Sequence, residues 1–215
     1  MFVASLTYWA FWFLSALGQS GAGRGVDGSS LTFDAALFTL FAAHHSILAR
    51  EPVKRALAFI PPELTRSVFV WTASVLLIVL CVFWRPIGGV LYRVTGVAAV
   101  ACAIVQLAGA AFIAASVARI DALELAGIRS ARAADGSLQT SGPYRVVRHP
   151  VYLGWMLVVF GTAHMTVDRF AFAAISSLYL VVAVPWEEHS LRRSFGNAYA
   201  EYQRQVRWRV IPYVY

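Results

Sequence analysis

Charge is scarce in this 215-residue chain: 13% of residues are Asp, Glu, Lys or Arg, while 59% are hydrophobic. Soluble domains carry about 25% charged residues, so an ordinary water-soluble fold is excluded. Cysteine is scarcer. Cys81 and Cys102 both fall inside apolar runs, without a CxxC pair or a Cys/His ligand spacing. A disulfide framework and a zinc site are therefore excluded, and both cysteines read as packing residues. Five histidines are too few for the HxxxH and HxxHH boxes of a membrane di-iron oxidase. The adjacent His44 and His45 would also point about 100° apart on a helix. No metal is expected. A strand–GxGxxG–helix unit is missing, which removes a soluble dinucleotide fold. The formal charge of +7 has no basic, aromatic-interleaved soluble module to serve, so no nucleic-acid partner is expected.

What the chain does have is apolar length. Hydropathy places six spans at about residues 2–17, 32–49, 67–84, 88–118, 151–165 and 169–185. The first has no positive n-region and no convincing cleavage site, so it reads as a retained helix. With both termini on the inside, fourteen Lys and Arg residues fall on that face, against Arg24, Arg85, Arg93 and Arg169 on the other. That asymmetry sets the orientation. The expectation is an all-α, polytopic membrane helical bundle of about six transmembrane helices, with a C-terminal helical hairpin and a cytoplasmic amphipathic tail. It is one integrated membrane domain, with N-terminal helices over 1–118 and a second region over 119–215. The location expected is a bacterial inner membrane, with both termini and the site cytoplasmic and membrane lipid as surroundings. Asp34 reads as a helix cap, and His164 and Asp168 as polar loop groups on the far face.

Three cytoplasmic stretches hold the chemistry. In "RIDALELAGI", Asp121 and Glu124 share a helix face, with Arg119 as a nearby partner. In "GPYRVVRHPVYLGW", residues 142–155, Pro150 is placed to start a helix where its missing N–H costs nothing. Arg148 and His149 then lie at a positive helix N-terminus, which favours anions. His149 titrates near neutrality and can donate to a carboxylate or phosphate. Tyr152 and Gly154 follow, an aromatic hydroxyl beside a gap in the side-chain surface. In "EEHSLRRSFGNAYAEYQRQV", the adjacent Glu187 and Glu188 repel unless cations or a polyol ligand answer them. Pairing of Glu188 with Arg192 at i,i+4 is the simplest answer. Tyr199 and Tyr202 share one face of the amphipathic helix that follows. Together these groups offer cations for a carboxylate, carboxylates for a ribose and aromatic faces for a base. S-adenosylmethionine has those needs.

The same residues carry a family resemblance. "GPYRVVRHPVYLGW", then "EEHSLRRSFGNAYAEYQRQV" and a final "IPY", resembles the isoprenylcysteine carboxyl methyltransferase superfamily of integral membrane enzymes. "LFAAHHSILAR", "FIPPELTRSVFVWTASVLLIVLCVFWRPI" and "DALELAGI" resemble its bacterial methanethiol S-methyltransferase branch. The resemblance implies methyl transfer from S-adenosylmethionine to a small or lipophilic thiol, or to a prenylcysteine-type carboxylate. It implies cofactor binding by His149 and Tyr152, with Arg148 supporting the cofactor carboxylate and Glu187 or Glu188 the ribose. Tyr144, Leu153, Gly154, Tyr199 and Tyr202 complete the cofactor set. Arg192 and Arg193 would face the methyl acceptor, with Glu188 as their catalytic neighbour, and His45, Ser46 and Arg50 are the substrate candidates. Two other readings stand beside this one: an accessory membrane protein that kept the fold and lost activity, and an NADPH-dependent enzyme like the sterol reductases.

Overall fold

The computed structural model describes residues 1–19, 25–48, 61–119 and 138–215. In chain order the helices are α1 (Phe2–Leu14), α2 (Ala16–Gln19), α3 (Gly28–Leu48), α4 (Pro62–Phe83), α5 (Gly96–Val117), α6 (Pro150–Phe160), α7 (Val167–Phe195) and α8 (Asn197–Gln205). Arg50, Asp121 and Glu124 lie outside the described residues. His45 and Ser46 belong to α3.

The described residues are mostly helical, as expected, with one short strand pair added. β1 (Val90–Arg93) pairs antiparallel with β2 (His164–Thr166), in the register Val90↔Thr166, Tyr92↔Met165 and Arg93↔His164. Gly88 and Gly89 precede β1 at φ 89° and 88°, a backbone open to glycine and costly for other residues, so no helix passes through them. A Cβ on Gly89 would also lie 3.0 Å from Val167 Cγ2. The span expected over 88–118 is therefore a turn, a strand and then α5, which begins at Gly96.

The chain divides into two compact units. The first joins Met1–Arg93 to His164–Ile175. Its core is aromatic: Trp9, Trp12, Phe13, Phe38 and Trp84 each pack on the ring of Phe172, at centroid distances of 5.5–6.1 Å. Asp168 is fully buried and is no loop group. Its carboxylate accepts the indole N–H of Trp84 and the backbone N–H groups of Ile87 and Gly88. A buried carboxylate needs such donors, and three of them fold the turn after α4 around it. Asp34 also differs from expectation. It accepts the backbone N–H of Arg85 from within α3, while Asp27 caps that helix through Ser29 N–H and the hydroxyl of Ser30. Arg169 donates to the carbonyls of Phe13, Leu14 and His164, placing a cation at the C-terminal end of α1.

The second unit comprises residues 94–119, 138–163 and Ser176–Tyr215. Here α5 and α6 approach backbone to backbone. A Cβ on Gly109 would stand 2.7 Å from the Gly154 carbonyl, and one on Gly154 would stand 2.6 Å from Ile113 Cγ1. The Gln106 amide adds a hydrogen bond to the carbonyl of Val158. Among the described residues, two helices, α5 and α7, are long and apolar enough to cross a membrane. Only 6% of the apolar stretch of α5 is buried, with Val97, Ile104 and Leu107 exposed. A soluble core helix hides such residues; a helix among lipids has no reason to.

Candidate active site

Pro150 occupies the first turn of α6 and His149 is its N-cap residue, as the sequence implies. The N–H groups just upstream are already engaged. Arg148 N–H donates to the carbonyl of Trp208 at 2.9 Å, and His149 N–H to that of Arg209 at 2.8 Å. The segment after α8 is therefore laced onto the entry to α6.

The side chain of Arg148 follows the same logic. Its Nε donates to Glu188 Oε1 at 2.7 Å, and Nη1 donates to the carbonyls of Val206 and Arg207 at 2.7 and 2.8 Å. Three of the five N–H bonds of a guanidinium are thus committed within the protein. This arginine ties α7 to the downstream segment, and Glu188 pairs with it rather than with Arg192 one turn away. Burial pushes the Glu188 carboxyl up, but His149 and Arg148 outweigh it and hold the group down at about 2. Arg209 adds a further cation, with Nε 3.5 Å from Glu188 Oε2, and the Gln203 amide donates to the same oxygen at 3.1 Å.

Glu187 faces the other partners. The Tyr152 hydroxyl donates to its carboxylate, and His149 Nδ1 lies 3.2 Å from its second oxygen. The rings of His149 and Tyr152 stack at 5.4 Å and 17°. Burial lowers the pKa of His149, but the two glutamates together raise it. Nε2 of His149 is 3.7 Å from Glu188 Oε1 and has no hydrogen-bond partner among the described residues. Both glutamates lie beyond the apolar run of α7, which closes at Trp186.

The helix break that follows α7 depends on Gly196, at φ 51°. With nothing near its Cβ position, the requirement there is conformational. The turn folds α8 back so that Tyr199 and Tyr202 are buried with Val206, against Leu138, Tyr144, Leu191 and Phe195. The Tyr202 hydroxyl donates to the Tyr144 carbonyl at 2.7 Å. The Tyr199 hydroxyl is buried beside Arg148, without a well-formed hydrogen bond among the described residues. Arg148, His149, Tyr152, Glu187, Glu188, Tyr199, Tyr202 and Tyr144 thus share one neighbourhood. Arg192 is exposed and donates to Gln203, Arg193 is exposed, and Leu153 is half-buried in α6. Gly154 meets α5 rather than this cluster.

Sequence reasoning missed Arg209 and Gln203. Arg209 sits in a tail whose many arginines read as topogenic charge, and only the backbone pairing of 208–209 with 148–149 singles it out. Its guanidinium lies 5.0 Å over the Tyr215 ring, and Nη1 donates to the Tyr215 hydroxyl. The carbonyl of Tyr215 in turn accepts the N–H groups of Arg209, Val210 and Ile211.

Residues 96–198 match the family described as phospholipid methyltransferase. A methanethiol S-methyltransferase of Bradyrhizobium diazoefficiens is 35% identical over 187 residues, covering 83% of this chain and 72% of that one. The chain belongs to the isoprenylcysteine carboxyl methyltransferase superfamily. It is a methyltransferase, and the family is one of membrane proteins. The methanethiol S-methyltransferase of Mycobacterium tuberculosis is 33% identical, covering 83% of the methyltransferase described here and 77% of its own length. A protein-S-isoprenylcysteine O-methyltransferase of Arabidopsis thaliana is 36% identical over 72 residues, covering 32% of this chain and 36% of its own. No solved structure matches. Arg148, His149, Glu187 and Glu188 fall inside the region matched by the family, and Arg209 lies beyond it.

Proposed function

We propose that this methyltransferase is a multi-pass membrane protein that uses S-adenosylmethionine to methylate a small or lipophilic thiol on the cytoplasmic side of a bacterial inner membrane. One observation carries the reading: a buried cluster in which Glu188 is answered by Arg148, His149 and Arg209, beside the half-exposed Glu187. Two buried polar atoms in it, His149 Nε2 and the Tyr199 hydroxyl, make no well-formed hydrogen bond among the described residues, although Glu188 and Arg148 stand beside them. Buried polar groups carry a free-energy cost unless something hydrogen-bonds them. An amino-acid nucleoside fits that donor set.

S-adenosylmethionine supplies a methyl group on a positively charged sulfur, and transfer destroys that charge. His149 and Tyr199 would hold its polar groups, and Glu187 its ribose, with Tyr152 orienting Glu187. Tyr144 and Tyr202 supply aromatic surface, and Leu153 an apolar wall. Arg148 keeps Glu188 ionised and in place. Arg192 and Arg193 would favour the thiolate of the acceptor by lowering its pKa. The protein's task is to bring two partners together and keep water out, which by itself accounts for large rate gains.

A thiol is favoured over a prenylcysteine carboxylate because the bacterial relatives named for thiol methylation cover most of the chain, and the plant enzyme about a third. Six spans with both termini inside are supported by the fourteen-to-four split of basic residues and the bare apolar surface of α5. Purified protein with methyl-labelled S-adenosylmethionine, offered methanethiol and a prenylated cysteine in parallel, tests the reading. Label in dimethyl sulfide supports it. Label only in a methyl ester moves the acceptor to the carboxylate class, and unchanged cofactor binding in His149→Ala removes the central assignment.

A further inference from the structure

A cavity of about 550 Å³ opens between the turn before α6 and the segment after α8, and its lining includes Arg145, Val146, Arg207, Trp208, Pro212 and Tyr213. Arg148, His149, Glu187 and Glu188 take no part in it. Two features of its lining are unexplained by methyl transfer. Arg145 and Arg207 make no ion pair and no side-chain hydrogen bond among the described residues. Around them, apolar surface faces outward: Val146 is 47% exposed, Tyr213 86% and Val214 75%. Water around arginine is ordinary, but exposed apolar side chains beside unpaired arginines point to an interaction site.

Tyr213 strengthens the point. It is the one described non-glycine residue with a positive φ, at 65°. That backbone is disfavoured for a residue with a Cβ and marks a position held by its surroundings. The conformation lays its ring against Trp208, at 5.2 Å between centroids. Trp and Tyr beside arginine are the side chains that settle at a membrane–water boundary, where one end is apolar and the other wet.

We propose that this cavity seats the head group of an acidic phospholipid, with the phosphodiester between Arg145 and Arg207 and the start of the acyl chains along Trp208, Tyr213 and Val146. Charge complementarity selects an anion; the apolar rim selects one that carries hydrocarbon. The carbonyls of Val206, Arg207 and Trp208 hold Arg148 in place. A lipid on this wall therefore steadies the segment that carries the active-site arginine, and the proposal does not depend on which acceptor is methylated.

The full-length protein in nanodiscs of phosphatidylcholine, with spin-labelled phosphatidylglycerol or spin-labelled phosphatidylcholine as probe, tests this. The expected result is a preference for the acidic lipid that falls about fivefold for each of Arg145→Gln and Arg207→Gln, the size of one basic residue near an anionic surface. Arg204→Gln removes the same charge outside the cavity and should leave the preference intact. An equal loss in Arg204→Gln would mean a diffuse surface effect and overturn the site. Displacement of the labelled lipid by inorganic phosphate would identify a soluble-anion pocket, and displacement by S-adenosylmethionine would assign the cavity to the cofactor; either result overturns the proposal.

Discussion

Arg148 and Glu188 stand forty residues apart in sequence and meet at 2.7 Å, with side chains 6% and 3% exposed. Removing one partner of a buried pair leaves the other charge stranded, at a cost of about 3–5 kcal/mol. Arg148→Ala should lower unfolding stability by that order. Arg148→Lys should recover little, because an ammonium lacks the planar fork that reaches Glu188 and two carbonyls at once. Chemical denaturation in detergent measures both, and a lysine variant as stable as the parent would contradict the role given to the fork.

The cluster also sets a pH window with two edges. Glu188 has its carboxyl depressed from 4.5 to about 2, so it contributes stability above 4.5 that is lost as pH falls through about 2. His149 is raised from 6.5, so its contribution is complete below 6.5 and is lost as pH rises through the folded-state value. Stability should therefore decline on both the acid and the alkaline side. Glu188→Gln should flatten the acid limb and His149→Gln the alkaline one, in thermal melts taken from pH 3 to pH 9.

Tyr199 separates binding from folding. Its hydroxyl is buried and makes no well-formed hydrogen bond among the described residues, so Tyr199→Phe removes a polar group at the cost of only a weak interaction with Arg148. Folding stability should hold or rise slightly. Affinity for S-adenosylmethionine should fall by about tenfold, the value of one good hydrogen bond to a charged ligand. Isothermal titration beside a melting curve reads both, and loss of stability without loss of affinity would make Tyr199 a packing residue.

Gly154 tests the contact between α5 and α6. A methyl group there meets Ile113 at 2.6 Å and the Gly109 carbonyl at 2.8 Å. Gly154→Ala should destabilise the fold by about 1–3 kcal/mol, as overpacking does. Shortening Ile113 to Val in the same chain should not relieve the carbonyl clash. Cofactor affinity measured on the folded fraction should stay within about twofold, since Gly154 faces away from the glutamate–histidine cluster.

The cluster was legible because its parts are short, local and chemically unusual. In an apolar chain, charge is costly to keep, so a proline beside Arg148 and His149 and a double glutamate one helix later point to chemistry. Partner choice was less visible. Glu188 offered Arg192 at helical spacing, yet it pairs with Arg148, because the chain from 206 to 209 supplies carbonyls that hold the guanidinium in place. Long-range backbone pairing leaves no trace in residue type, and this is also why Arg209 looked like topogenic charge. Asp168 was misjudged for the same reason: its three donors come from Trp84, Ile87 and Gly88, about eighty positions away. The β1–β2 pair went unseen because strands of four and three residues fit within what hydropathy reads as the ends of spans.

The lacing of Trp208 and Arg209 onto Arg148 and His149 dictates an order of assembly. Synthesis runs from the N-terminus, so α6 and α7 are made before the residues that hold Arg148. The arginine can meet Glu188 at that stage, but the carbonyls of Val206 and Arg207 have not yet emerged. Helix formation and closure of this cluster are therefore separate events, and a chain cut before residue 206 lacks the carbonyls that hold Arg148.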